Sequence, residues 1–281
     1  MNESVKRFSY PYLVWMSIVI VIPMVLILLY SFIGGTGEPV AFKFTLQNYR
    51  DFFSPIYLHV LWHSFLVAAS STLACLLLGY PVAWAVSRLR PHKQSSALLL
   101  FILPMWINML LRTYAWITIL GRQGILNKLF AYLGIGPFQM MYTDFAVVLG
   151  MVYNFLPFMI LPIYTSILKV DRNLVDAARD LGAGEAQVFL KVTLPLTMPG
   201  IITGITMVFL PAMSTFVIPQ LLGGGQYMMI GNLIERQFLL TGNWYFGSAI
   251  SMVLMVFILI SVGLMKKFDG GETSGKGALP W

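Results

Sequence analysis

Few residues in this chain stand at spacings that could do chemistry. His59 and His63 lie four apart, so on a helix both imidazoles share a face and could ligate a metal in the manner of H-E-x-x-H. Val60 occupies the position of the general base, however, and no third ligand follows, so they read as two imidazoles at a membrane interface. Near the C-terminus Gly270, Gly275 and Lys276 repeat the G-x-x-x-x-G-K spacing of a phosphate-binding loop. Gly277 replaces the hydroxyl that would hold magnesium, and neither a preceding strand nor a following helix is expected, so the match is chance composition. The lone Cys75, inside an apolar run, excludes a disulfide framework and reads as a small buried hydrophobe. No apolar stretch holds a nucleophile with its base, a carboxylate pair or a metal cluster, so no catalytic residue and no metal site are expected. Arg112 departs from the general avoidance of charge, following Pro104 and Asn108 toward the end of such a stretch. It reads either as a functional intramembrane charge or as a side chain snorkelling to headgroups.

The elements that must position these residues are membrane spans. The 18 Lys and Arg and 11 Asp and Glu make up 10% of 281 residues, 58% are hydrophobic, and the mean hydropathy is +0.79. A soluble domain carries roughly 25% charge, so a soluble enzyme is excluded. No charge occurs over 8–37, 52–87, 94–111, 145–168, 192–234 or 237–265. Because a bilayer core of about 30 Å takes roughly 20 helical residues, these intervals predict six spans, near 12–32, 60–86, 97–120, 145–168, 200–222 and 247–265. Runs such as 98–103 are apolar on every side, which excludes the period-2 alternation of a strand barrel. Lys6 and Arg7 precede an apolar stretch too long for a secretory signal core, with no A-x-A site after it, so the first helix is retained.

The net charge of +7 does not point to nucleic acid, because the basic residues lie in short groups between the apolar runs. Lys6, Arg7, Arg88, Arg90, Lys93, Lys169, Arg172, Arg179, Lys191, Lys266, Lys267 and Lys276 collect on one side, against Lys43, Arg50, Arg112, Arg122, Lys128 and Arg236 on the other. The positive-inside rule then puts both termini in the cytoplasm. On the outer side, Ile125, Leu126, Leu129, Phe130 and Leu133 predict a short interfacial helix. The Gly-rich tail 269–281 is expected to be disordered.

The cytoplasmic loop between the fourth and fifth spans has the grammar of a short helix. Asp171 caps its start, Gly182 ends it, and Leu174, Ala178 and Leu181 share a face with Ala177 beside them. A second helical stretch, 185–192, ends at Leu194 and Pro195, so the loop predicts a compact helix-turn-helix. Periodicity alone allows an amphipathic connector lying on the bilayer equally well.

Asp176-Ala177-Ala178, Gly182 six residues after Asp176, and Val192-x-Leu194-Pro195 resemble the E-A-A-x3-G-x9-I-x-L-P signature of ABC importer permeases, with Asp for Glu and Val for Ile. The stretches 78–84, 111–116, 156–159, 210–213 and 222–224 are similar to polyamine (spermidine/putrescine) permeases. The resemblance implies an all-α type I ABC importer permease fold: a six-helix membrane domain over 12–268, between a cytoplasmic N-terminus (1–11) and the tail. It implies that the loop at 169–199 docks into a cytoplasmic ABC ATPase dimer, which carries the ATP and magnesium, so that this chain binds no cofactor. A second homologous permease and an extracytoplasmic polyamine-binding protein would complete a multi-pass assembly in the plasma membrane of a prokaryote.

For the pathway, Pro211 and Pro219 interrupt the fifth span and can leave polar backbone facing a cavity, with Ser214, Thr215, Phe216 and Gln220 between or beside them. Ordinary packed kinks are the alternative. Trp106, Tyr114, Trp116 and Tyr153 offer aromatic faces to a cation, and Asn108 and Arg112 lie in the same region. Gln220 stands where related polyamine permeases often place an acid, which leaves the negative charge to the second permease. The rival readings are a permease for ferric ion, sulfate or thiamine, and a membrane scaffold or enzyme with a similar loop.

Overall fold

In hydrocarbon every backbone amide must be satisfied within its own segment, and the apolar stretches accordingly form helices. The computed structural model describes residues 3–34, 43–225 and 228–269. Helix α1 (Glu3–Ser31) leads into a two-residue antiparallel pairing of β1 (Ile33–Gly34) with β2 (Lys43–Phe44). Then come α2 (Gln47–Phe52), α3 (Pro55–Ser87), α4 (Pro91–Ile102) with a 3-10 turn at Leu103–Trp106, α5 (Met109–Leu120), α6 (Ile125–Tyr132) and α7 (Asp144–Leu168). The chain continues through α8 (Arg172–Asp180), α9 (Glu185–Val188), a π turn at Phe189–Thr193, α10 (Leu194–Ser214), α11 (Val217–Leu222) and α12 (Ile230–Glu235). A second π turn at Arg236–Leu240 precedes α13 (Trp244–Asp269).

Five helical segments are long and apolar enough to cross a bilayer, and a sixth crossing exists if the pair bent by 92° between Trp106 and Met109 counts as one span. The interfacial helix expected between Gly121 and Tyr142 is α6. Two expected spans are broken. At 97–120 the helix stops at Trp106, Ile107 is extended, and the Asn108 side chain caps α5 by accepting from the Leu110 amide at 2.8 Å. Pro104 inside the apolar run and an amide that satisfies a fresh N-terminus make that break. At 200–222 the helix starts earlier, runs through Pro199 to Ser214, and ends at an extended Thr215 before α11 begins. The first helix is also longer than expected, starting at Glu3. The tail and its Gly270–Lys276 spacing lie outside the described residues, apart from Asp269 at the end of α13.

The chain divides into two compact units, residues 1–61 with 233–258, and residues 62–232 with 259–281. In the first, the Asn48 amide donates to the carbonyls of Ser31 and Ile33, and the rings of Tyr57 and Phe246 lie 5.0 Å apart. In the second, α7 packs along α10, with Met159, Ile160 and Ile163 fully buried. Gly200 meets the Ser166 side chain and the Pro162 carbonyl, while Gly204 meets Met159, so this small-xxx-small pair lets the two backbones approach closely.

Candidate functional site

The 169–199 segment folds as two arms held by side-chain bonds. The Asp171 carboxylate accepts from the Asn173 amide at 2.9 Å and caps α8, and Gly182 ends it at φ 83°, a left-handed conformation that glycine adopts without strain. Arg179 then clasps the arms: its Nε and Nη2 donate to Glu185 at 2.7 and 3.1 Å, and its Nη1 to Asp176 at 3.0 Å. These bonds hold the Glu185 carboxyl below the usual carboxylate range and raise the Arg179 guanidinium further. Helix α8 turns Leu174, Ala177 and Leu181 to the exterior beside Arg172 and Asp180, and Ala178 is half-buried.

The second arm differs from the separate helix expected at 185–192. It runs through the π turn directly into α10, so Leu194, half-buried, and Pro195, exposed, lie at the start of the long helix. The wider turn accommodates Pro195, which lacks the amide needed for an α-helical bond. Phe189 in this turn packs edge-on against Tyr80 and Trp84 of α3, and the Tyr80 hydroxyl bonds Thr197 at 3.1 Å. Beneath α8 lies a cavity of about 500 Å³ whose lining includes Trp84, Arg88, Arg172, Asp176, Arg179 and Thr193.

The other candidate region is the break between α10 and α11. Ser214, Phe216 and Gln220 are exposed and Thr215 is half-buried, so all four side chains gather at one interruption. Periodicity did not single out the residue that braces it. Asn232, buried at the start of α12, donates to the Phe216 carbonyl at 2.8 Å and to Gln220 Oε1 at 3.3 Å, and its own Oδ1 accepts from the Met229 amide at 3.4 Å. Beside it, a Cβ on Gly231 would stand 2.5 Å from the Ser214 carbonyl oxygen and 2.7 Å from that of Thr215. The signal was present, since Asn232 is an amide inside the charge-free run 192–234.

Of the remaining candidates, Arg112, Trp116 and Tyr153 come together. The Arg112 guanidinium carbon lies 6.0 Å from the Tyr153 ring centroid, and the Trp116 ring meets Tyr153 edge-on at 5.5 Å. Trp106, in the 3-10 turn, and Tyr114 are exposed, and Asn108 serves as the cap of α5. Helix α11 packs against both α5 and α7. The Nε2 of His63 lies 3.1 Å from Asp144 at the start of α7. No group of three or more His, Cys, Asp or Glu side chains comes together for a metal among the described residues.

Comparison with known proteins agrees with this architecture. A family model described as binding-protein-dependent transport system inner membrane component matches residues 2–271. The spermidine/putrescine transport system permease protein PotB of Haemophilus influenzae is 43% identical over 251 residues, 88% of each chain. The protein of that name from Escherichia coli is 44% identical over 246 residues, 86% of this chain and 89% of its own. A solved bacterial alginate ABC transporter, in complex with an alginate pentasaccharide-bound periplasmic protein, shares the fold with a TM-score of 0.78 at 15% identity, over 95% of this chain and 93% of that one. With helical spans and a family match along nearly its whole length, this chain belongs to the binding-protein-dependent transport system inner membrane components, as a multi-pass ABC permease rather than an ATPase.

Proposed function

We propose that this chain forms half of the transmembrane pathway of an ATP-driven importer for spermidine and putrescine. The carrying observation is its 43% identity to the Haemophilus influenzae PotB permease, sustained over 88% of both chains. Both termini face the cytoplasm, as the distribution of Lys and Arg favours. A cytoplasmic ABC ATPase dimer docks on the exposed face of α8 through Asp176, Ala177, Ala178 and Gly182. Its closure moves α9 and α10 as one piece, because Leu194 and Pro195 continue the same helical rod. The far end of that rod is the break at Ser214, Thr215, Phe216 and Gln220, where the passage opens and closes between inward-facing and outward-facing states. A second permease supplies the other half, and an extracytoplasmic polyamine-binding protein delivers the solute.

Polyamines suit such a lining because ammonium groups take hydroxyl and amide oxygens and aromatic faces, while the methylenes between them take apolar walls. Reconstitution with a partner ABC ATPase, a second permease and a polyamine-binding protein should give ATP-dependent accumulation of labelled spermidine and putrescine in proteoliposomes. Accumulation of ferric ion, sulfate or thiamine instead would overturn the assignment.

A further inference from the structure

Arg112 carries a charge that nothing among the described residues answers. Its Nε and Nη1 are buried without a hydrogen-bond partner, and no ion pair within 4.0 Å involves it. The Tyr153 ring at 6.0 Å sits at the outer limit of a cation–π contact. A guanidinium keeps its proton, so it cannot become neutral on burial as a lysine does. Arg112 as a whole is half-buried, but its two buried N–H groups have lost water without gaining an acceptor, a cost that an anion brought by the assembled protein would remove.

A second copy of this chain carries its acids nearest the spans only at span ends, Asp51, Asp144 and Glu235, and Asp144 lies 3.1 Å from His63. The surface around Arg112 is exposed and apolar, formed by Trp106, Ile107, Leu111 and Tyr114. We infer that Arg112 is met in the assembled transporter by a carboxylate from a different permease chain, at the interface between the two. This rests on the proposal of a second, non-identical permease.

The test is a charge exchange in the co-expressed complex, read as the amount of second permease that co-purifies with a tagged copy of this chain. Arg112→Glu should reduce the recovered second permease roughly tenfold or more, the usual consequence of breaking a buried charge pair. Each intramembrane Asp or Glu of the second permease is then changed to Arg. One position should lose assembly with wild-type Arg112 and regain it with Arg112→Glu. That first loss involves no change in this chain, so misfolding of Arg112→Glu cannot imitate it. Wild-type recovery with Arg112→Glu would overturn the inference, as would a scan in which no position loses assembly. Assembly that instead depends on anionic phospholipid in the wild type but not in Arg112→Glu would assign the anion to a lipid phosphate and overturn it as well. Co-purification needs no solute, so a failure of polyamine uptake would count against the functional reading alone.

Discussion

The 169–199 loop and the α10–α11 break are built on opposite plans at the two ends of one helical rod. The loop pairs part of its charge internally: Arg179 takes Glu185 and Asp176, and Asp171 caps α8. What remains outside is a face where Leu174, Ala177 and Leu181 stand beside Arg172 and Asp180. The break keeps its polar groups open, with Ser214, Phe216 and Gln220 exposed and braced from behind by Asn232. Two arms clasped by Arg179, with a mixed apolar and charged exterior, suit docking another protein. An interruption with unused hydrogen-bonding capacity suits a solute that stays only briefly.

The comparison breaks outright if the two regions share a side of the membrane. On a Cys75→Ala background, an impermeant thiol reagent applied from outside should label a cysteine placed near Gly224 and leave one near Gly184 unmodified, an all-or-none contrast; the reverse pattern would invert the topology. Next in size are substitutions that strike each plan directly. Gly182→Asp places a charge in the proposed docking face and a side chain at φ 83°, a backbone strain of about 1–3 kcal/mol. Uptake should nearly vanish, with ATP hydrolysis no longer stimulated by the binding protein, whereas Gly182→Asn, which meets the same left-handed backbone without the charge, should retain more of both. Gln220→Lys should likewise abolish polyamine uptake by repelling the cation. Gln220→Glu should lower the apparent KM with equal or reduced maximal rate, and a Lys variant that transports at the wild-type rate would mean that this face only packs.

A smaller effect separates bracing from lining. Asn232→Leu leaves the Phe216 carbonyl without its side-chain donor, a loss of about 1–3 kcal/mol. It should lower the Tm of the detergent-solubilised chain and shift KM together with maximal rate, unlike the Gln220 variants. The smallest effect lies in the loop clasp. Because Arg179 depresses the Glu185 pKa, the contact contributes fully above the ordinary Glu value of about 4.3 and is lost as pH falls through the lowered value. Hydrogen exchange across 171–188 should therefore show protection at pH 7 that disappears in acid. Arg179→Ala should lack that protection at pH 7 and show no such acid step; an identical profile in the variant would remove the clasp from the account.

Much of this was legible in the linear chain, for reasons that are local. Charge-free intervals mark spans because lipid tolerates no unpaid charge over that length, and Asp171 and Gly182 mark the ends of α8 because capping and left-handed turns depend on residues within one helical turn. The signature from Asp176 to Pro195 is equally a matter of spacing. Where two spans break was less legible: Pro104 and Pro211 permit an interruption, but Pro199 sits in an unbroken helix, so proline alone does not say which helix stops.

Tertiary structure decided what depended on distant residues. Asn232 reaches Phe216 and Gln220 across 16 and 12 positions, and His63 finds Asp144 81 positions away. The continuity of α9 with α10 was hidden because a π turn has no residue signature of its own, and whether Arg112 is paired depends on neighbours that hydropathy does not register. Local backbone chemistry and the cost of charge in lipid therefore determined the spans and the α8 helix. Which polar groups are satisfied, and which are left open to solute or partner, was decided only by the packing of segments far apart in the chain.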